Sequence, residues 1–213
     1  MSIILPFKFK KIHRRFKNRQ FTLLDVGCGN HSATLAKQWF PHCRYHGLDM
    51  ATYNNSERDF SLMEKYYQID LSLGSINELP DNYFDVVIFS HVIEHIRNGL
   101  EIVAQLTIKM KRNGYIFIEF PSVSSLALPN WKGTLNFCDD PSHIRIYDIR
   151  EIANTLLENQ CTILRAGARR DWRVIVFFVP LFIKAMIAER KIPHAGLWDI
   201  FHFADYVFAK KNV

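Results

Sequence analysis

Gly27 and Gly29, in the stretch "LLDVGCGNHS" from Leu23 to Ser32, stand where apolar, strand-like residues give way to a helix-like run. Glycines at such a turn let backbone approach a ligand closely and aim N–H groups at it. Asp25 precedes the turn, and Asp49 ends the next apolar run about 20 residues further on, where a carboxylate can accept hydrogen bonds from two ribose hydroxyls. Asp70 closes a third such run. Each feature also has an ordinary reading. Gly-x-Gly turns are often only tight turns, and an aspartate after a strand is more often a helix cap.

The three acids choose between nucleotides. An anionic pyrophosphate sits poorly among Asp25, Asp49 and Asp70, whereas a cationic sulfonium carrying ribose and adenine sits well. A nicotinamide-binding turn also needs a third glycine for close helix packing, and Ser32 occupies that position. The carboxylates therefore favour S-adenosylmethionine over NAD.

A second group of residues could move protons or hold a metal. "HVIEH", His91 to His95, has the H-x-x-E-H form of inverted zinc proteases. Histidines four apart can share a helix face and ligate zinc. That chemistry needs a further carboxylate ligand downstream and has no use for "LDVGCG" upstream, so no metal site is expected. His143, in "DDPSHIRIY", and His91 are the candidates for a general base or a substrate contact.

These residues need elements to position them, and strand-like and helix-like segments alternate along the chain as in a parallel sheet with crossover helices. "FTLLDV" reads as a first strand followed by a helix over 32–40, "RYHGLD" as a second strand and "YYQID" as a third. "FDVVIFS" is a continuous apolar run, as a central strand covered on both faces requires. Apolar spacing predicts a helix from Leu100 to Met110, stopped by Asn113-Gly114, with "YIFIEF" as the fifth strand. Asp148 and Glu151 form a capping-box pattern opening a helix through Leu157. "CTILRAG" and "DYVFAKK" supply the last two strands, with an apolar, aromatic-rich insertion over 172–203 between them.

In order and spacing, "LLDVGCGN", "GLD", "YYQID", "FDVVIFSHVIEHI" and "NGYIFIEFPS" resemble a class I S-adenosylmethionine-dependent methyltransferase of the small-molecule type, strongly over about residues 20–125 and weakly beyond. The resemblance implies an α/β three-layer sandwich with a seven-stranded, mostly parallel sheet whose last strand is antiparallel. It implies that Asp25, Gly27, Gly29 and Asn30 cradle the methionine part of the cofactor. Asp49 would hold the ribose with Met50 flanking the adenine, and Asp70 and Leu71 would sit by the adenine amine. Ser90 and His91 would face cofactor and acceptor. Many members have a third glycine where this chain has His31, which leaves the loop's shape open. The expected reaction is methyl transfer to an O, N or C nucleophile of a small-molecule or lipid-linked acceptor. The alternatives are a non-catalytic cofactor-binding scaffold and, less well matched, a nicotinamide-dependent oxidoreductase.

Composition bounds the rest. The chain has 213 residues, 48% hydrophobic and 23% charged, which suits one globular domain over 1–213. Four scattered cysteines without a CxxC pair form no disulfide framework, so a cytoplasmic setting is expected. The net charge of +6 belongs to residues 1–20, which carry seven bases and no acid, while the remainder is close to neutral. Phe9, Ile12 and Phe16 fall at helical spacing among those bases, predicting a helix packed over the cofactor site or, alternatively, a peripheral contact with the inner face of a membrane. Nothing resembles an RNA-binding module, so nucleic acid is not the expected partner. The insertion is expected to be a lid or a dimer contact or, alternatively, to line an apolar acceptor pocket or rest on a membrane surface.

Overall fold

Residues 4–130, 135–176 and 194–213 are described by the computed structural model. The apolar runs become β1 (Phe21–Val26), β2 (Cys43–Asp49), β3 (Lys65–Gln68), β4 (Phe84–Ser90), β5 (Met110–Pro121), β6 (Cys161–Ala168) and β7 (Ala204–Lys211). They form one seven-stranded sheet in the order β3-β2-β1-β4-β5-β7-β6. Neighbours from β3 through β5 pair in parallel, and β7 runs antiparallel to both β5 and β6. The expected sheet, antiparallel last strand included, is the observed one.

The central strands read as unbroken apolar runs because both faces of the sheet are covered. Alternate residues go to opposite sides. Leu24, Val26, Val87, Phe89, Ile116, Ile118 and Val207 meet Ile102, Val103 and Leu106 of α4 (Gly99–Lys109) and Ile152 and Leu156 of α5 (Ile149–Glu158). Leu23, Val86, Ile88, Phe117 and Tyr206 pack beneath α1 (Phe7–Phe16) and α2 (Ser32–Trp39). The capping box at Asp148 forms as expected, its carboxylate accepting from the Arg150 and Glu151 N–H groups.

Two expectations are corrected. Asn113-Gly114 does not stop α4. The helix ends at Lys109, and Met110 is already extended and paired with Phe84. Tyr115 pairs with Val86, so residues 111–114 bulge opposite Asp85 alone. Asn113 takes φ +63°, and a Cβ on Gly114 would come within 2.8 Å of the Lys111 carbonyl. Pairing with β4, absent from any local pattern, sets the helix end.

The basic arm also lies elsewhere than expected. It is helical, but α1 buries Phe7, Phe9, Ile12 and Phe16 on the sheet rather than over the cofactor site. Its bases are partly consumed inside the fold. Lys8 reaches the buried Asp25 at 3.0 Å, and Lys10 pairs with the buried Asp171. Of the insertion, α6 (Trp172–Val176) and α7 (His194–Phe201) are described, while 177–193, with Phe177, Phe178 and Phe182, lies outside the described residues.

Candidate active site

In this strand order β1 has β2 on one side and β4 on the other, so the connections leave its carboxyl end in opposite directions and open a crevice there. A cavity of about 900 Å³ occupies that place.

One wall is the turn between β1 and α2. Gly27 has φ +77°, and a Cβ there would collide with Val92. A Cβ on Gly29 would stand 2.9 Å from the Tyr53 carbonyl. The His31 question is answered by geometry. Asn30 and His31 take φ +54° and +58°, the left-handed conformation a glycine would adopt freely. His31 is held in it by a 2.7 Å hydrogen bond from Nδ1 to the buried Asp59.

Asp49 closes this wall. Its Oδ2 accepts the Gly29 N–H at 3.1 Å and its Oδ1 the Met50 N–H at 2.8 Å, so the glycine turn and the end of β2 aim the carboxylate together. Burial raises its pKa, opposed by those same N–H groups. Further along, Met50, Ile69 and Leu71 make an apolar flank, and Asp70 lines the cavity while its Oδ1 caps the short turn after β3 through the Ser72 N–H. Gly27, Gly29, Asn30, Asp49, Met50, Asp70, Leu71, His91 and His143 thus share one cavity.

Asp25 and Ser90 do not line it. Asp25 is buried beneath the turn, where it accepts from Lys8, Ser32 Oγ at 2.8 Å and Tyr45 OH at 2.9 Å. Its role there is to tie α1, α2 and β2 under the glycine turn.

The opposite wall follows β4. His91 adopts φ +54° with its N–H on the Glu119 carbonyl. Its Nε2 donates to Glu119 Oε1 at 3.2 Å, and its Nδ1 lies 3.3 Å from Glu94 Oε1. Burial alone would lower the imidazole pKa, but the two carboxylates outweigh it and push it up to about 9. His91 therefore carries a proton at neutral pH and is placed to hold one, not to take one. Glu119 is shared with Arg169 at 2.9 Å, and Arg169 lies 3.4 Å from Asp199, so β5, the residue following β6 and α7 all brace this histidine. Trp198 and Phe203 of the aromatic insertion line the cavity against the His91 ring, with centroids 5.0 and 6.2 Å away.

His143 enters from the loop after β5. Its Nδ1 bonds the Phe137 carbonyl at 2.7 Å and its Nε2 points toward Glu94 and Asp140. Sequence reading passed over Glu119, Arg169, Asp140, Ser142 and Asn136. Glu119 did leave a signal, as a lone acid inside the apolar "YIFIEF". The others sit in loops whose approach to the cavity depends on the whole sheet.

The lining suits a cationic nucleoside. Four carboxylates (Asp49, Asp70, Glu94 and Asp140) face the cavity, and among the described residues no lysine or arginine lines it. A pyrophosphate would meet those carboxylates there, with the charged His91 already shared by Glu94 and Glu119. Residues 5–166 match a protein-family model described as a methyltransferase domain.

The chain belongs to the methyltransferase-domain family.

It is an S-adenosylmethionine-dependent methyltransferase. No protein with a curated description matches the chain. Solved structures share the fold. A SAM-dependent methyltransferase from Archaeoglobus fulgidus is 20% identical over 96% of this chain and 91% of its own, with a TM-score of 0.61. A phosphoethanolamine N-methyltransferase 2 from Haemonchus contortus, solved with phosphomonomethylethanolamine and S-adenosylhomocysteine, is 16% identical over 95% of this chain and 52% of its own, with a TM-score of 0.63. The cyclase SpnF, 16% identical over 97% of this chain and 81% of its own, reaches 0.61. At such identities the likeness concerns the fold, and a cyclase among the neighbours shows why the methyltransferase's acceptor must be argued from its site.

Proposed function

We propose that this methyltransferase moves the methyl group of S-adenosylmethionine to an O, N or C nucleophile of a small-molecule or lipid-linked acceptor. The observation that carries the reading is the continuity of one cavity from the Asp49 wall to the His91–His143 wall, with Trp198 and Phe203 closing the far end. The sulfonium is already activated, so the protein's work is to align donor and acceptor and to exclude water. On this reading Asp49 takes the ribose hydroxyls, Asp70 and Leu71 border the adenine, and the Gly27–Asn30 turn receives the methionine end. His143 and the braced, charged His91 face the acceptor. The apolar ring surfaces of Trp198 and Phe203 favour an acceptor with an apolar portion. The reading keeps the chain in the cytoplasm. A lipid-linked acceptor would bring the protein to an anionic surface, and exposed Arg14, Arg15, Lys17 and Arg19 present charge there.

The test is methyl transfer itself. Protein incubated with methyl-labelled cofactor and extracts divided into water-soluble and lipid fractions should label one compound class. Label confined to the protein, or none in any fraction above a heat-killed control, would count against a small-molecule or lipid-linked acceptor. Sedimentation with anionic vesicles, reduced when Arg14, Arg15, Lys17 and Arg19 are changed to Ser, checks the surface contact. No sedimentation at low salt would remove it.

A further inference from the structure

Glu94, His95 and His143 each offer a ligand atom on the cavity wall, and these atoms lie within 4.8 Å of one another. Glu94 is 1% exposed, and neither of its carboxylate oxygens accepts a hydrogen bond. The nearby His91 Nδ1 contacts Oε1 at 3.3 Å without aligning on it. The charged His91 offsets part of the cost of burying this carboxylate, and a further cation that both oxygens could ligate would recover the rest.

Both imidazoles are set in the manner of metal ligands. His143 Nδ1 is on the Phe137 carbonyl at 2.7 Å, and His95 Nδ1 is on the Ser142 carbonyl at 3.1 Å. Each bond fixes the ring proton on Nδ1 and leaves Nε2 with a free lone pair, which is how a carbonyl behind a metal-binding histidine orients it. His143 Nε2 stands 3.9 Å from Glu94 Oε1 and 3.9 Å from Asp140 Oδ2. Two ligands of one ion lie at most about twice a bond of roughly 2.1 Å apart, so these pairs already fall within its span. Asp140 spends Oδ1 on the Ser142 N–H and hydroxyl and keeps Oδ2 for the cluster. The H-x-x-E-H string thus contributes Glu94 and His95, while His143 replaces the expected His91, whose Nε2 is engaged by Glu119.

We propose that Glu94, His95 and His143, completed by Asp140, bind a divalent transition-metal ion of the zinc or manganese kind. Two imidazoles with carboxylates suit such an ion better than magnesium, which prefers all-oxygen surroundings. The cluster lines the cavity, so an ion held there would lie on a wall that an acceptor entering the cavity could meet. Resting on the methyl-transfer reading, this makes the acceptor an oxygen nucleophile. Its hydroxyl binds the ion and releases its proton to solvent. The oxygen then forms the new C–O bond as the methyl–sulfur bond breaks, the electron pair passing to sulfur to give neutral S-adenosylhomocysteine.

The experiment uses full-length protein stripped with chelator and titrated separately with Zn²⁺, Co²⁺, Mn²⁺ and Mg²⁺. The expected result is one Zn²⁺ or Co²⁺ per chain, with Mg²⁺ much weaker. Glu94→Gln and His143→Ala should each weaken Co²⁺ binding by about 100-fold or more, beyond the 10–100-fold that an outer-shell partner is worth. His95→Ala leaves the Glu94–His91 pair intact and should weaken Co²⁺ binding to the same degree, so the test does not depend on that pair. Absence of stoichiometric binding, or unchanged binding in these variants, overturns the site. Acetohydroxamate, an oxygen chelate, should change the Co²⁺ absorption spectrum of the bound protein. No change would mean a closed ion, and the oxygen-acceptor half would fall. S-adenosylhomocysteine titration of the stripped protein separates the two ideas, because its failure alone refutes the methyl-transfer reading and leaves the metal result standing.

Discussion

Asp59 shows how much one residue can fix. It is fully buried and accepts from Ser56 N at 2.8 Å, Ser56 Oγ at 2.6 Å, Thr34 Oγ1 at 2.6 Å and His31 Nδ1 at 2.7 Å. Burial would raise its pKa, but the donors from Ser56, Thr34 and His31 hold it well below the ordinary carboxylate range. A depressed folded-state pKa contributes stability that is fully present above the unfolded value of about 3.9 and is lost progressively as pH falls from there through the depressed folded value. Asp59→Asn should therefore lower the urea midpoint most at pH 7 and by a smaller amount near pH 3, and an equal loss at both would contradict the assignment. His31 pairs a left-handed backbone with this bond. We expect His31→Gly to destabilise less than His31→Ala by about 1 kcal/mol, since alanine keeps the strain and glycine does not. Denaturant melts would show it, and alanine faring better would mean the loop relaxes. From sequence His31 looked like a departure from the family turn. Its φ and its partner, on a helix 28 residues away, needed the fold.

At the scale of elements, α1 and the first strand are tied through Lys8 and Asp25, and the helix covers the sheet with four buried apolar side chains. Lys8→Met should cost about 1.5–3 kcal/mol of stability, the usual worth of a hydrogen bond to a charged group. Because Asp25 stands behind the glycine turn and not in the cavity, affinity for S-adenosylhomocysteine should change little. Parallel urea melts and calorimetry test this, and an affinity loss exceeding the stability loss would place Asp25 in direct cofactor contact. Strands were legible in sequence because unbroken runs such as Val86–Phe89 can only be covered on both faces. The arm's spacing of Phe9, Ile12 and Phe16 was legible as a helix, but not its resting place, since an apolar stripe does not say which surface it meets. The end of α4 was hidden for a similar reason, being decided by the pairing of Met110 with Phe84.

Across the whole molecule, function follows from the reversal of strand order at β1. That reversal brings the ends of β1, β2 and β4 together with the loop after β5 and the residues before β7, so residues as far apart as Gly27 and Phe203 share one cavity. The carboxylates on the near side were visible in sequence because each ends a strand. The Glu94–His95–His143 grouping was not, because His143 arrives through a loop that no periodicity constrains. Among the described residues no helix is long and apolar enough to cross a membrane.

Isothermal titration of the full chain with S-adenosylhomocysteine and with NAD, repeated on Asp49→Asn, tests the central claim most directly. Asparagine keeps the side chain's shape and removes the charge that the ribose hydroxyls would meet. One S-adenosylhomocysteine per chain is expected, with no heat from NAD and an affinity about 10- to 100-fold lower in the variant, equivalent to roughly 1.5–3 kcal/mol. Tight NAD binding, or S-adenosylhomocysteine binding that Asp49→Asn leaves unchanged, would contradict it.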